Sequence, residues 1–247
     1  MDTSLLLFLA AVALGAYVQS ITGFALGIFV LAAVALLHFS SIPVAAMAMN
    51  IMTLANSTVM VLPRLKKVHW PTLRLTLIGT LPAMVVGVLL LNGLSNHAQN
   101  ILRILLGLMI IGGGLVLVWR PHPRATLSPK GGFIGMGLIS GLLGGLFSVS
   151  GPPLVYQFYR QPLPLLRIRI TLVTLFSIMS VGRLTVVGVQ GQITEEVLRM
   201  GGLSIPVVLA AAWLGTRYPP RISDKALRRG VFVLLVITGS GIVFTAL

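Results

Sequence analysis

The chain has 247 residues, of which 56% are hydrophobic and 9% are charged, whereas soluble domains carry about 25% charged residues. Its 18 Lys and Arg against four Asp and Glu give a formal net charge of +14, and its mean hydropathy is +1.01. A chain this apolar belongs in lipid, so its positive charge is not interpreted as a nucleic-acid-binding surface. The absence of cysteine excludes disulfides and thiolate metal sites. We expect one all-α integral membrane domain over residues 1–247, without cofactor or metal.

Eight apolar runs divide nearly the whole chain, and most of them have the length of a single membrane span. A helix of about 20 apolar residues crosses a bilayer, and six of the runs are close to that length. The first and the fifth are too long for one crossing. In chain order the runs cover residues 5–37, 42–62, 73–91, 101–119, 131–159, 170–189, 197–214 and 231–247.

The two long runs are interrupted by residues that break helices. A single helix over residues 5–37 would be about 50 Å long, against a hydrocarbon core of about 30 Å. Polar residues and a glycine interrupt this run at 19–23, and the fifth run contains Ser148-Val149-Ser150-Gly151-Pro152-Pro153. Consecutive prolines remove backbone donors and clash with the preceding turn, so a helix does not continue through them. Each long run is therefore predicted to be two half-helices hinged at a polar turn.

The basic residues predict how the runs are oriented in the membrane. Lys and Arg are concentrated in four gaps that the positive-inside rule places in the cytoplasm, at residues 62–72, 120–130, 160–169 and 214–231. The gaps at 92–99 and 191–196 contain no Lys or Arg and are placed outside. Because both gaps that flank the fifth run are cytoplasmic, this run must enter the membrane and return. The same parity makes the first run a hairpin approached from outside.

The chain is thus predicted to consist of two repeats, residues 1–122 and 129–247, each made of one hinged hairpin and three transmembrane helices. An odd number of helical pieces in each half inverts the second half relative to the first and leaves both termini outside the cytoplasm. Inverted repeats with broken helices are typical of secondary transporters, which hold their substrate near the membrane midplane at the breaks.

The polar residues of the two breaks are the first candidates for a substrate site. Half-helices that begin at a break present free N–H groups and a partial positive charge, both of which favour an anion. The alternative interpretation is a proline kink that only shapes helix packing. The candidates are Gln19, Thr22 and Gly23 in the first break and Ser148, Ser150, Gly151 and Pro152 in the second.

Arg183 is a charged residue inside the sixth run, about 14 residues from the basic residue Arg169. A charge that deep costs about 2.5–3.5 kcal/mol on insertion scales, so it normally faces a cavity or a partner. No acidic residue lies in any predicted span, which indicates either water or an anionic substrate as the partner of Arg183. The alternative is an arginine that snorkels to the interface.

Small polar residues also recur on single helical faces. Asn50 and Thr53 in the second run, and Thr174 and Ser177 in the sixth, are spaced so that each pair shares a face. Such residues either line a substrate path or hydrogen-bond neighbouring helices, and the sequence leaves both interpretations of Asn50 and Ser177 open. Glycines at 137, 141 and 145 have the spacing of close helix packing.

These features favour a secondary transporter of an anion over three other classes of protein. An anion channel is the nearest alternative. A membrane enzyme that acts on a lipid phosphate would also use Arg183, but it would need an acid–base group nearby, and none is visible. A passive scaffold does not explain the broken hairpins. The chain is therefore predicted not to be an enzyme.

Two glycine-rich patterns carry a resemblance to a known family. They are Gly15-x-x-x-Gln19-x-x-Thr22-Gly23-Phe24-Ala25-x-Gly27 in the first half and Gly141-Leu142-Leu143-Gly144-Gly145-Leu146-Phe147-x-x-x-Gly151-Pro152-Pro153 in the second. Together with the size and the duplicated layout, they resemble the TauE/SafE family of sulfite and organosulfonate exporters over almost the full length.

The resemblance implies a multi-pass permease of the inner membrane that exports small sulfur-containing anions and uses the Gly23 and Gly151 turns. Its partners would be the anion and the lipid bilayer, and the choice between a monomer and a homodimer stays open. Many relatives have a Gly-x-Gly-Gly turn where this chain has Ser148-Val149-Ser150-Gly151, so the exact substrate is not fixed by the resemblance.

Overall fold

The computed structural model describes residues 3–37, 40–93, 124–148 and 150–218, with isolated positions between 104 and 115 and at 236 and 240. Within these residues the chain is helical and contains no strand. In chain order the helices are α1 (Thr3–Thr22), α2 (Leu26–Leu37), α3 (Ile42–Met60), a short 3-10 helix η1 (Leu62–Lys67), α4 (Trp70–Gly93), α5 (Lys130–Phe147), α6 (Gly151–Tyr159), α7 (Leu165–Val189) and α8 (Glu195–Arg217).

The described helices match the predicted spans to within three residues at each end, except at the start of α7. Five of them, α1, α4, α5, α7 and α8, are long and apolar enough to cross a membrane, which confirms the all-α membrane fold. The predicted runs at 101–119 and 231–247 lie largely outside the described residues. Helix α7 begins at Leu165 rather than at 170, directly after Pro164. Arg167 and Arg169 therefore lie in the first turns of a helix and not in a loop.

The first long run is broken at Gly23, as the sequence predicts. The N–H of Gly23 donates to the carbonyl of Gln19 at 2.7 Å and closes the last turn of α1. Gly23 has a φ of +83°, a left-handed conformation that glycine adopts without the steric cost of a Cβ. Ala25 also has a positive φ, at 112°. The chain thereby reverses within three residues, and α2 begins at Leu26.

The second long run is broken at Ser148, which has a φ of 58°. Helix α6 begins at Gly151 and has only nine residues, a length of about 13 Å that is too short to cross a membrane. The segments on either side of this hairpin are joined, because the N–H of Arg124 donates to the carbonyl of Arg160 at 2.8 Å. The N–H of Ser128 likewise donates to Oε1 of Gln161 at 2.9 Å. The chain therefore enters α5 and leaves α6 at the same face of the bundle.

Two further hydrogen bonds show which helices begin at the same face of the bundle. The N–H of His69 donates to Oγ1 of Thr171 at 2.9 Å, so α4 and α7 begin at one face, together with α5. We call this the basic face. At the opposite face, Oγ of Ser40 donates to Oε1 of Glu196 at 2.7 Å, so α3 and α8 begin there. We call this the acidic face, because α8 begins with Glu195 and Glu196.

Helices α4 and α5 run side by side in the same direction, and glycines of α5 allow their backbones to approach closely. Thr76 faces Gly137, Thr80 faces Gly141 and Met84 faces Gly145, and a Cβ atom on Gly141 or Gly145 would overlap the carbonyl oxygen opposite. The predicted packing role of these three glycines is confirmed. Helices α1 and α8 are also parallel, since Gly215 lies against Tyr17 and Ser20.

Candidate anion site

The two breaks meet at a partly open cavity of about 50 Å³. A cavity needs about 10–15 Å³ to hold one water molecule, so this one has room for a few waters or for one small oxyanion. Both breaks, together with α3, α4 and α7, supply its walls, so residues from both predicted repeats surround the same space. The polar lining residues are Gln19, Asn50, Thr53, Ser148, Ser150, Ser180 and Arg183.

Six of the ten predicted site residues line this cavity, namely Gln19, Asn50, Ser148, Ser150, Gly151 and Arg183. The other four lie beside it and shape its surroundings. Oγ1 of Thr22 donates to the carbonyls of Val18 and Phe24, and Ser177 donates to the carbonyl of Val173 at 2.7 Å. Gly23 packs against Arg169, and Pro152 is buried in the first turn of α6.

Arg183 is only 3% exposed, and its guanidinium caps a helix end. Nη1 donates to the carbonyl of Gly144 at 2.5 Å and to the carbonyl of Gly145. These carbonyls belong to the last turn of α5, where carbonyl groups run out of N–H donors further along the helix and carry the negative end of the helix dipole. The carbonyl of Gly144 also accepts from the N–H of Ser148 at 2.9 Å. Within the described part of the chain, the partners of Arg183 are therefore carbonyl oxygens and not carboxylates.

The guanidinium retains unused donor capacity. Nε of Arg183 is buried and has no hydrogen-bond partner in the described residues. A buried donor without a partner costs about 1–3 kcal/mol, and more when the group is charged. An acceptor would relieve this cost if the side chain of Arg183 turned Nε toward the cavity. The sequence indicated the charge of Arg183 but not the carbonyls that hold it.

Asn50 connects α3 to the second break. Its Nδ2 donates to the carbonyl of Ala46 at 2.7 Å and to Oγ of Ser148 at 3.1 Å. This contact holds Ser148 in the left-handed conformation that ends α5. Asn50 was predicted either to line a substrate path or to bond a neighbouring helix. It bonds Ser148 and lines the cavity, and its role in a substrate path stays a prediction.

Gln19 stabilises the first break with both ends of its amide. Its Oε1 accepts from the N–H of Leu26 at 3.1 Å, which caps the start of α2. Its Nε2 donates to Oδ1 of Asn56 at 3.2 Å. Gln19 therefore lines the cavity while its amide groups hold the hinge in shape.

Helices α2 and α6, which begin at the two breaks, differ in the number of backbone N–H donors that they present to an anion. The first N–H groups of a helix have no acceptor within it, and they lie at the positive end of its dipole. Gly27 and Ile28 of α2 line the cavity, so this end of α2 is directed at it. In α6, Pro152 and Pro153 have no N–H, which leaves Gly151 as the donor of the first turn. The backbone donors of α2 were not identified as site groups from the sequence.

Apolar side chains complete the walls of the cavity, and the sequence did not identify them. They are Phe24, Ile28, Met49, Met84, Phe176 and Met179. Phe24 connects the two breaks, since a Cβ atom on Gly151 would lie 3.5 Å from Cδ2 of Phe24. Oγ of Ser150 donates to Sδ of Met179 at 3.4 Å. Hydrophobic periodicity does not distinguish such residues from the core. The available signal was their position in the sequence, since Met49 adjoins Asn50 and Met179 precedes Arg183 by one turn.

The cavity offers hydrogen-bond donors and one positive charge but no acid–base chemistry. Among the described residues, no group of three His, Cys, Asp or Glu side chains could hold a metal ion. A small cavity that carries polar groups and lies between two broken hairpins in a multi-span bundle defines a class, the membrane transporters that bind their substrate within the membrane.

The comparisons with known proteins give the family. The model of the family described as "Sulfite exporter TauE/SafE" matches residues 7–242. A protein of Cupriavidus necator, described as "Probable sulfite/organosulfonate exporter TauE", is 38% identical over 233 residues, which cover 94% of this chain and 91% of the relative. This chain belongs to the TauE/SafE family, whose members are transport proteins and not enzymes. No solved structure gives a significant match to it.

Proposed function

We propose that this protein is a secondary transporter that exports a small sulfur-containing anion, such as sulfite or an organosulfonate, across the inner membrane. Membership of the family supports the class of substrate. The observation that carries the proposal for this chain is Arg183, a buried cation on a cavity of about 50 Å³.

The chemistry of Arg183 matches a sulfur oxyanion. A guanidinium presents its donors in a planar fork that fits two oxygens of one anion. Its charge has only carbonyl partners among the described residues, so an anion would supply the missing negative charge. Backbone N–H groups at the start of α2 and the hydroxyl of Ser148 would donate to the remaining oxygens, and the hydroxyl of Ser150 would do so after releasing Sδ of Met179.

The inverted repeat is part of this proposal. Helix α1 runs parallel to α8 and therefore from the acidic to the basic face, whereas α5 begins at the basic face and runs the other way. The first helices of the two repeats thus have opposite directions. The contacts between repeats also correspond. The first α-helix of the first repeat, α1, packs beside the fourth described α-helix of the second, α8. In the same way α5, the first α-helix of the second repeat, packs beside α4, the fourth of the first. The positive-inside rule then places the basic face in the cytoplasm.

A channel is the alternative within transport, and exchange kinetics separate it from a carrier. Purified protein in vesicles loaded with unlabelled sulfite should take up radiolabelled sulfite transiently against its gradient, because a carrier exchanges one bound substrate for another. Arg183→Met should abolish this counterflow, and Arg199→Met is the matched control, since Arg199 is exposed on α8. Uptake without counterflow, accompanied by sulfite currents, would indicate a channel instead.

A further inference from the structure

The 3-10 helix η1 lies on the outside of the bundle at the basic face. None of its six residues is buried. Leu62 is 61% exposed and Leu65 43% exposed, and Trp70, the first residue of α4, is 42% exposed. Three large apolar side chains therefore project from the membrane boundary between α3 and α4.

Cations from both predicted repeats lie in the same region of the basic face as these apolar side chains. Lys66 and Lys67 of η1 are exposed, as is Arg167 in the first turn of α7. The two elements are held together by the hydrogen bond from the N–H of His69 to Oγ1 of Thr171, whose hydroxyl in turn donates to the carbonyl of Arg167 at 2.7 Å. Burial and the charge of Arg167 lower the pKa of His69.

No acidic side chain balances this charge in the described part of the chain. The acidic residues described are Glu195 and Glu196, which begin α8 at the opposite face. Positive charge at the cytoplasmic boundary is expected from topology alone. Topology also accounts for a tryptophan at the boundary, but it does not require two exposed leucines on the same short helix as two lysines. Basic residues beside apolar ones at a membrane boundary are the arrangement that binds an anionic lipid, because the headgroup and the acyl chains are contacted together.

We propose that η1, Trp70 and Arg167 form a binding site for an anionic phospholipid of the leaflet at the basic face. Lys66, Lys67 and Arg167 contact the phosphate, and Leu62 and Leu65 contact the first part of the acyl chains. Because η1 follows α3 and Arg167 belongs to α7, one bound lipid bridges the two repeats. The proposal does not depend on the nature of the transported anion.

The fluorescence of Trp70 tests this site directly. The chain has three tryptophans, so Trp119→Phe with Trp213→Phe leaves Trp70 as the only one. This protein is reconstituted in phosphatidylcholine vesicles that contain either brominated phosphatidylglycerol or brominated phosphatidylcholine at equal mole fraction. Bromine quenches tryptophan on contact. We expect the anionic lipid to associate with Trp70 more strongly, by roughly fivefold for each cation engaged and therefore by about 100-fold when all three contact the phosphate.

The variant K66Q/K67Q/R167Q should lose this preference. The matched control is K130Q/R217Q, which removes exposed cations at the start of α5 and the end of α8 and should retain it. Equal quenching by the two lipids in the parent protein would overturn the proposal. So would an equal loss in the control, because the preference would then reflect the overall surface charge. If the triple variant does not fold, K67Q alone should show a smaller loss in the same direction, and no loss would also overturn it.

Discussion

The guanidinium of Arg183 caps one helix and lines a cavity at the same time. A charge inside an apolar run is visible in the sequence, which is why this residue could be selected without a structure. Its partners could not be predicted, because the carbonyls of Gly144 and Gly145 come from another helix, 39 and 38 residues away. Gln19 is similar, since it was predicted as a site residue from the sequence. Its cap on the start of α2 and its hydrogen bond to Asn56 depend on how the helices pack.

Substitution of Arg183 separates its two roles when binding and stability are measured together. Arg183→Met should weaken sulfite binding by about 10- to 100-fold, because a hydrogen bond to a charged group contributes about 1.5–3 kcal/mol. It should also lower the unfolding temperature, since the carbonyls of Gly144 and Gly145 lose the guanidinium, and Gly144 keeps only the N–H of Ser148 as a donor. Arg183→Lys should restore the unfolding temperature, because an ammonium still reaches the carbonyls. It should restore only part of the affinity, because it lacks the planar fork.

Calorimetry with sulfite and thermal unfolding of the purified variants provide the two measurements. Wild-type affinity in Arg183→Met would mean that the charge serves only to cap α5. A lysine variant with full affinity would mean that charge alone, without bidentate geometry, binds the anion.

At the scale of the elements, the positions of the two breaks were predictable from the sequence, but the helices around them were not. The helix breakers predicted where both occur, since glycine and proline signals are local. The nine-residue length of α6, the early start of α7 and the direction of the α2 N-terminus toward the cavity were not predictable. They depend on which helices lie alongside and on where backbone groups find partners.

Gly151 and Gly23 should respond differently to alanine. At Gly151 the added methyl meets Phe24 at ordinary contact distance, whereas at Gly23 it would lie 3.0 Å from Cα of Arg169, on a backbone with a φ of +83°. Gly151→Ala should therefore fold normally and narrow the cavity, which weakens the binding of an organosulfonate more than that of sulfite. Gly23→Ala should reduce the yield of folded protein, because a left-handed conformation costs about 1–2 kcal/mol beyond glycine.

Size-exclusion profiles and binding of the two anions check both variants. Unchanged affinities in Gly151→Ala would show that its methyl does not enter the substrate space. A Gly23→Ala protein as stable as the parent would contradict the tight contact with Arg169.

The contact between α4 and α5 gives a second comparison at this scale. Gly141→Ala would drive a methyl into the carbonyl of Thr80, so we expect a loss of at least about 1–3 kcal/mol of stability from overpacking. Gly135 is on the same helix, and a Cβ atom there meets nothing within 4 Å. Gly135→Ala is therefore the matched control and should not lower the unfolding temperature. If both substitutions had the same effect, backbone contact would not be what holds these two helices together.

For the whole molecule, the distribution of charge predicted which helix ends share a face. The hydrogen bonds between Ser128 and Gln161, and between His69 and Thr171, join ends that the charge pattern had placed together. The charge pattern did not predict how deeply the hairpins enter the membrane, because charged residues mark only the membrane–water boundary. The structure gives α5 18 residues before its break, enough for about 27 Å. The meeting of both breaks at one cavity also requires tertiary packing and could not be read from either repeat alone.

The orientation of the whole molecule can be measured by cysteine labelling, since the chain has no cysteine of its own. Single cysteines replace Lys67, Lys130 and Leu165 at the basic face and Glu195 at the acidic face. We expect a membrane-impermeant maleimide to label Glu195→Cys in intact spheroplasts, and the other three only after permeabilisation. Lys130 and Leu165 flank the second hairpin, so protection of both requires that this hairpin returns to the face it entered. Labelling of only one of these two in intact spheroplasts would mean that the hairpin crosses the membrane, and the proposed inverted repeat would then be wrong.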